Sequence, residues 1–286
     1  MNLTRTQGHT MRRRNRAIRS ASRYRFVRVK VMFWLTKYRG ALLGTRMSAS
    51  IVVPSIRSSL GRGYSSAMIE IVAVNVGVPR LLSRRNDTKV FSAIAKTPIV
   101  NGTPLWLSLF NLAGDGQADL SVHGGHDKAV YGYPSEHLPR WEADLGQALG
   151  PAPFGENLST RGVVESDVCI GDRWRWDDAV LEVCQPRWPC SKLALYRGRS
   201  DIQSRMRKSG RTGWYLRVIE PGEVVVGSAI EVVERDAAGL SVADAHRAMG
   251  DRQLSDRLLT ERLAHHHALA VEWRTPLRER LGLDHD

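Results

Sequence analysis

Between residues 68 and 235 the chain is a succession of apolar runs only five to nine residues long, each cut by Gly, Pro, Asn or Asp. Ile69–Val76, Ser92–Ile99, Leu105–Leu109, Ala129–Tyr133, Val168–Trp176, Ala179–Cys184, Trp214–Ile219 and Ala229–Glu234 are the clearest. Runs of this length suit strands, and their close spacing leaves little room for the crossover helices of a doubly wound sheet. The Asp177-Asp178 turn predicts a hairpin between the fifth and sixth runs, and Pro221-Gly222 separates the last two. Helices are expected only at Ser135–Leu145 and, after a Ser200/Asp201 cap, at Asp201–Lys208. The fold class read from this pattern is mainly β, a barrel or a sandwich with a few helices.

After Asp236 the period changes. Ser241–Met249 begins with a Ser cap and carries Asp244 in its first turn, and Gln253–Leu263 lines up Leu254, Leu258 and Leu259. Ala270–Leu281 places Trp273, Leu277 and Leu281 at a spacing of four, although Pro276 removes one helical hydrogen bond and threatens a kink. Residues 236–286 therefore read as a small three-helix C-terminal domain after a β domain over 68–235.

The net charge of +13 resembles that of a nucleic-acid binder, but its distribution argues otherwise. Residues 1–67 hold thirteen Arg, two Lys and no acid, which leaves 27 basic against 29 acidic residues over 68–286. The basic part is read as a disordered leader or as sequence upstream of the true start, with Met68 opening directly onto the first strand. A nucleic-acid arm is the less favoured alternative. Three cysteines without CxxC spacing argue against a disulfide framework and for a reducing, cytoplasmic setting. No run reaches the length of a membrane span.

Three clusters can carry chemistry. In Gln185-Pro-Arg-Trp-Pro-Cys-Ser-Lys192, two prolines stiffen the chain around Cys190, and Arg187 and Lys192 flank it. Fixed positive charge beside a thiol favours the thiolate, the form that attacks or ligates metal. Cys169 and Cys184 lie inside strand patterns and are expected to be inert. His123-Gly-Gly-His-Asp-Lys128 has adjacent glycines, Gly124 and Gly125, that can present backbone N–H groups to an anion, and Lys128 adds charge. Phe154-Gly-Glu-Asn-Leu-Ser159 offers Asn157 to orient a polar ligand and Glu156 as a general acid. His265-His-His267 is read as a solvated helix end. The sequence has no GxGxxG, P-loop, HExxH or GxSxG motif.

In this order, Val122-His-Gly-Gly125 with Asp127-Lys-Ala129, Phe154–Thr160, Ile170-Gly-Asp-Arg173 and Gln185–Leu193 resemble the MOSC-domain family, named for the C-terminal domain of molybdenum cofactor sulfurases. The similarity is to its bacterial YiiM-like branch, which confers resistance to 6-hydroxylaminopurine. It runs from Met68 to the C-terminus and implies a MOSC β-barrel followed by the three-helix domain. It implies the molybdenum cofactor (molybdopterin), with Cys190 as catalytic residue and molybdenum ligand. His123, Gly124, Gly125, Lys128, Asn157, Arg187 and Lys192 would bind the anionic cofactor. The implied activity is reduction of N-hydroxylated small molecules such as hydroxylaminopurines to amines. Electrons would come from a separate reductase, because the sequence shows no flavin, haem or iron–sulfur pattern. The alternatives are sulfur transfer through a Cys190 persulfide and a non-catalytic cofactor carrier.

Overall fold

Alternation of side chains drives the first strand: Ile69, Ile71 and Val74 of Met68–Val76 are buried while Met68, Glu70 and Val72 face out. This is β1 of the computed structural model, which describes residues 68–85, 88–119 and 124–283. The basic leader expected over 1–67, and His123, lie outside the described residues. The following strands are β2 (Arg80–Arg85), β3 (Thr88–Ser92), β4 (Thr97–Pro98), β5 (Pro104–Leu107), β6 (Val130–Pro134) and β7 (Leu158–Arg161). Then come β8 (Arg173–Trp176), β9 (Ala179–Pro186), β10 (Trp214–Glu220), β11 (Gly222–Val225) and β12 (Ile230–Glu234).

Seven of these close a ring in the order β1, β12, β8, β9, β10, β6, β7 and back to β1. Every neighbouring pair is antiparallel except β6 and β7, whose parallel pairing sets Gly132 beside Leu158 and Pro134 beside Thr160. Trp174, Trp176, Leu181, Val183, Trp214 and Leu216 fill the interior without solvent exposure. β9 is buried along its whole length, because its second face is covered by a C-terminal helix.

The helices are α1 (Leu138–Leu145), α2 (Ser191–Arg197), α3 (Ile202–Ser209), α4 (Val242–Gly250), α5 (Arg257–Ala264) and α6 (Val271–Leu281). The last three continue the barrel's hydrophobic core: Leu240, Val242, Leu263, Trp273 and Leu277 belong to the cluster that holds Ile69 and Leu181. Ser241 and Asp244 form the expected cap, with the Asp244 N–H donating to Ser241 Oγ at 3.0 Å and the Ser241 N–H donating to Asp244 Oδ2 at 3.0 Å. A second cluster on the outer face of β6 joins Tyr131 and Tyr133 to Trp141, Phe154, Leu193 and Met206.

Several local expectations differ from the structure. Ser92–Ile99 is not one strand: β3 ends at Ser92, and the next residues turn into a loop before β4. Only the second half of Val168–Trp176 is a strand, since Asp172 diverts the first half into a turn. α5 starts four residues later than the leucine pattern indicated, because the Asp251 side chain accepts from the Gln253 and Asp256 N–H groups and holds a turn there. Asp201 stands at the N-cap of α3, but its carboxylate is taken by Arg199 and Arg205 instead of capping. Pro276 sits inside α6, which runs through it.

The Ile170–Arg173 motif is structural. Asp172 is fully buried and accepts from the Cys169 N–H at 3.0 Å, the Asp236 N–H at 3.0 Å and Arg235 Nη1 at 2.7 Å. Gly171 has φ +92°, and a Cβ there would come within 2.6 Å of Asp236 Oδ2. The pair ties the barrel to the segment that leads into α4. Asp172→Ala would strand those donors, and urea unfolding of the variant should show a loss of about 2–3 kcal/mol. A change within about 0.5 kcal/mol of wild type would contradict this role.

Candidate active site

Cys190 follows Pro189 at the end of β9 and is the N-cap residue of α2, in extended backbone. The loop that carries it is held from outside the barrel. Trp188 stands between His246 of α4 and Trp273 of α6, with ring centroids 5.7 Å from each, and Gln203 Nε2 donates to the Pro189 carbonyl at 3.2 Å. The C-terminal helices thus fix the position of the thiol from behind.

In front of the loop lies an open cleft of about 590 Å³, a figure that includes its solvent-filled mouth. Cys190, Arg187, Lys192, Lys128 and Asn157 all line it. Lys96, Asp115, Tyr131 and Tyr215 also line it and were not singled out from sequence. Lys96 is a charged residue inside an apolar run, which is a usable signal, whereas Asp115 between two glycines reads as an ordinary turn.

Arg187 dominates the electrostatics. It is 5 % exposed, its guanidinium lies 5.0 Å from the Tyr131 ring centroid, and it forms no ion pair with a carboxylate among the described residues. Burial works against its charge, but Tyr131, Tyr215 and Cys190 outweigh that and hold its pKa above the ordinary arginine value. A buried cation with no carboxylate beside it is costly, and the Cys190 thiolate and an anionic ligand are the groups that can balance it.

Lys96 is nearly as buried and is hydrogen-bonded to Asp115 Oδ1. Burial lowers its pKa, and Asp115 opposes that shift. Asp115 is fixed in turn by the Gly77 N–H at 2.8 Å and by Asn157 Nδ2 at 2.9 Å. Asn157 Nδ2 also donates to the Asn75 carbonyl at 3.2 Å, and its Oδ1 accepts from the Tyr131 N–H at 3.1 Å. Its amide is therefore used within the protein, where it aligns β1, β6 and the Asp115 loop around the cleft.

The glycine loop is clamped. Asp127 pairs with Arg217 at 2.9 Å, and Lys128 pairs with Glu272 of α6 at 2.6 Å. Gly125 has φ +96° at the head of the short 3-10 turn His126–Lys128, a conformation that favours glycine. Gly124 and Gly125 border the turn that delivers Lys128 and do not line the cleft. Among the other cysteines, Cys184 donates to the Asp127 carbonyl at 3.1 Å, and burial pushes its thiol well above the usual range. Cys169 is also raised by burial. The histidine run is not a solvated end throughout: His266 is buried and lies 3.0 Å from Asp236, and His267 stacks on it. Among the described residues no group of three or more His, Cys, Asp or Glu can hold a metal by itself.

Residues 119–231 match the MOSC domain. YflK of Bacillus subtilis (strain 168), described as an uncharacterized protein, is 41% identical over 204 residues, covering 71% of this chain and 90% of its own length. The chain belongs to the MOSC-domain family. The crystal structure of YiiM from Geobacillus stearothermophilus is similar to this MOSC chain with a TM-score of 0.62 at 33% identity, over 74% of this chain and 99% of that one. A Gibberella moniliformis (strain M3125 / FGSC 7600) protein named Reductase is 36% identical over 194 residues, which are 66% of this chain but only 34% of that protein.

Behind the cleft of this MOSC chain, Glu156 is almost fully buried and accepts from the Phe154 N–H at 3.0 Å and Ser159 Oγ at 3.3 Å. Burial raises its pKa to about 7, with the backbone N–H groups, Ser159 and Arg187 opposing the shift. A carboxyl raised in the folded state binds more protons there than in the unfolded chain. Its stabilising contribution is full below about pH 4.5 and is lost as pH rises through about 7. Glu156→Gln should therefore flatten the fall in unfolding free energy between about pH 5 and 7.5. Urea titrations at several pH values measure this, and an unchanged slope in the variant would refute it.

Proposed function

We propose that this MOSC chain reduces N-hydroxylated small molecules, such as hydroxylaminopurines, to amines, using a molybdenum cofactor held in the Arg187–Cys190 cleft. The observation that carries the reading is the buried Arg187 guanidinium, which lacks a carboxylate partner among the described residues and faces the same cleft as Cys190. Its needs match an anionic pterin phosphate, and a cysteine thiolate suits a soft metal whose other donors come with the cofactor. The donor set therefore fits the group. The name Reductase borne by the Gibberella relative supports the direction of the chemistry.

In this reading Arg187, Lys192 and Lys128 hold the cofactor's anionic groups, and Cys190 Sγ is the protein's ligand to the metal. The bound group supplies the two-electron couple. Two electrons and two protons break the substrate N–O bond and leave an amine and water. Lys96 Nζ stands in the cleft with its proton-holding capacity weakened by burial, and Asp115 fixes its direction. Lys96 is the group assigned to protonate the departing hydroxyl oxygen, with Glu156 as a neighbouring proton store. The tyrosines Tyr131 and Tyr215 form the wall against which the substrate ring lies.

Among the described residues no helix is long and apolar enough to cross a membrane. A cytoplasmic location is part of the proposal, in keeping with three cysteines that form no disulfide.

The test is turnover of 6-hydroxylaminopurine by cofactor-loaded chain with reduced methyl viologen as donor. Wild type should form adenine, Cys190→Ser should form none, and Lys96→Met should be slower by about 100-fold with little change in KM. A wild type that forms no adenine but carries a transferable persulfide on Cys190 would replace the reductase with a sulfur carrier.

A further inference from the structure

Outside the ring of seven strands, β2 and β3 form a two-stranded ribbon. Its register pairs Leu81 with Phe91 and Arg84 with Lys89, and a bulge between Leu81 and Ser83 absorbs the extra residue. Lys89 and Phe91 are two apart on β3, so these four side chains share one face of the ribbon. Lys89 and Phe91 are exposed while Val90 and Ser92 turn inward. Leu81 is 41% exposed and Phe91 49%. Arg84 and Lys89 are like charges set directly opposite each other, an unfavourable arrangement, and neither has an ion-pair partner among the described residues. The only carboxylate in the sequence between Arg80 and Ser92 is Asp87, outside the described residues.

The place of this face gives it meaning. β3 runs straight into Ser92–Lys96, where Ser92, Ala93, Ile94 and Lys96 form one wall of the cleft. β2 packs beside α2, the helix that begins at Cys190 and exposes Leu195 at 44%. An apolar, cationic surface thus lies at the rim of the site that needs electrons.

We infer that the Leu81–Arg84–Lys89–Phe91 face docks an acidic electron-carrier protein. This rests on the reductase reading above. Each substrate reduced consumes two electrons and two protons, so two one-electron carriers are oxidised for every N–O bond broken. The sequence shows no flavin, haem or iron–sulfur pattern to supply them. A partner rich in Asp and Glu would relieve the Arg84–Lys89 repulsion, and Leu81 and Phe91 would supply the desolvated centre of the contact.

The probe is an acidic [2Fe–2S] ferredoxin. Its affinity for the full chain is measured by biolayer interferometry at about 50 and about 300 mM salt, where screening separates charge from packing. Turnover is then driven either by reduced ferredoxin or by reduced methyl viologen. The double variant Arg84→Glu/Lys89→Glu should weaken ferredoxin binding and ferredoxin-driven turnover by roughly tenfold or more and leave dye-driven turnover unchanged. Phe91→Ser should weaken binding with no change in its salt dependence. Equal ferredoxin binding by wild type and the double variant overturns the docking face. So does wild-type turnover with dye but none with ferredoxin. Binding of a DNA oligonucleotide, lost on charge reversal, in place of ferredoxin would make the face a nucleic-acid site and also overturn the inference. If wild type has no dye-driven turnover while charge-sensitive ferredoxin binding persists, the reductase reading fails and the docking face stands.

Discussion

A guanidinium buried to 5% exposure with no carboxylate against it is the constraint on which the site depends. The protein invests structure in keeping Arg187 there. Tyr131 provides a ring face, Tyr215 a hydrogen-bond partner, and Met206 Sδ lies 3.7 Å from Nη1. Taking an arginine out of water costs several kcal/mol without a counter-charge. A purely structural site would recover that cost with an Asp or Glu, and the nearest candidates are committed elsewhere. Asp115 holds Lys96, Glu165 accepts from the Gly213 N–H and pairs with His137, and Glu156 is raised toward its neutral form. The anions left to balance the charge are the Cys190 thiolate and a ligand in the cleft.

The barrel explains how so many unlike groups converge. Parallel pairing of β6 with β7 brings Asn157, at the entrance to β7, against the backbone of Tyr131. The antiparallel β9–β10 pair puts Tyr215 next to the end of β9, where the Arg187–Cys190 loop begins. The C-terminal helices then brace that loop through Trp188 and brace Lys128 through Glu272. Their core is continuous with that of the barrel, so they are part of the frame of the site.

Much of this was legible in the sequence, because strand alternation and helix caps are local. The first strand, the hairpin around Asp177-Asp178 and the Ser241 cap follow from neighbours within a few residues. So does the grouping of Cys190 with Arg187 and Lys192 at one cleft, since these residues are adjacent in the chain. The β7 and β11 strands and helix α2 were not legible: Leu158–Arg161 and Gly222–Val225 are short, and α2 begins directly after Pro189-Cys190. Lys96 and Asp115 escaped for a different reason. Their partnership spans nineteen residues through a turn, and only folding shows that a lysine in an apolar run has a buried carboxylate beside it. Asn157 was legible as a key residue, but its amide turned out to be spent on Asn75, Asp115 and the Tyr131 backbone.

Under the proposed function, the cleft takes an anionic molybdenum cofactor because Arg187 requires a counter-charge. The most direct measurement is molybdenum and pterin content per chain in protein purified from a cofactor-competent host, for wild type beside Arg187→Met. Wild type should hold molybdenum and pterin close to one per chain, and the variant should stay folded and hold neither. Wild type free of molybdenum and pterin, or a variant that retains both in full, would contradict it.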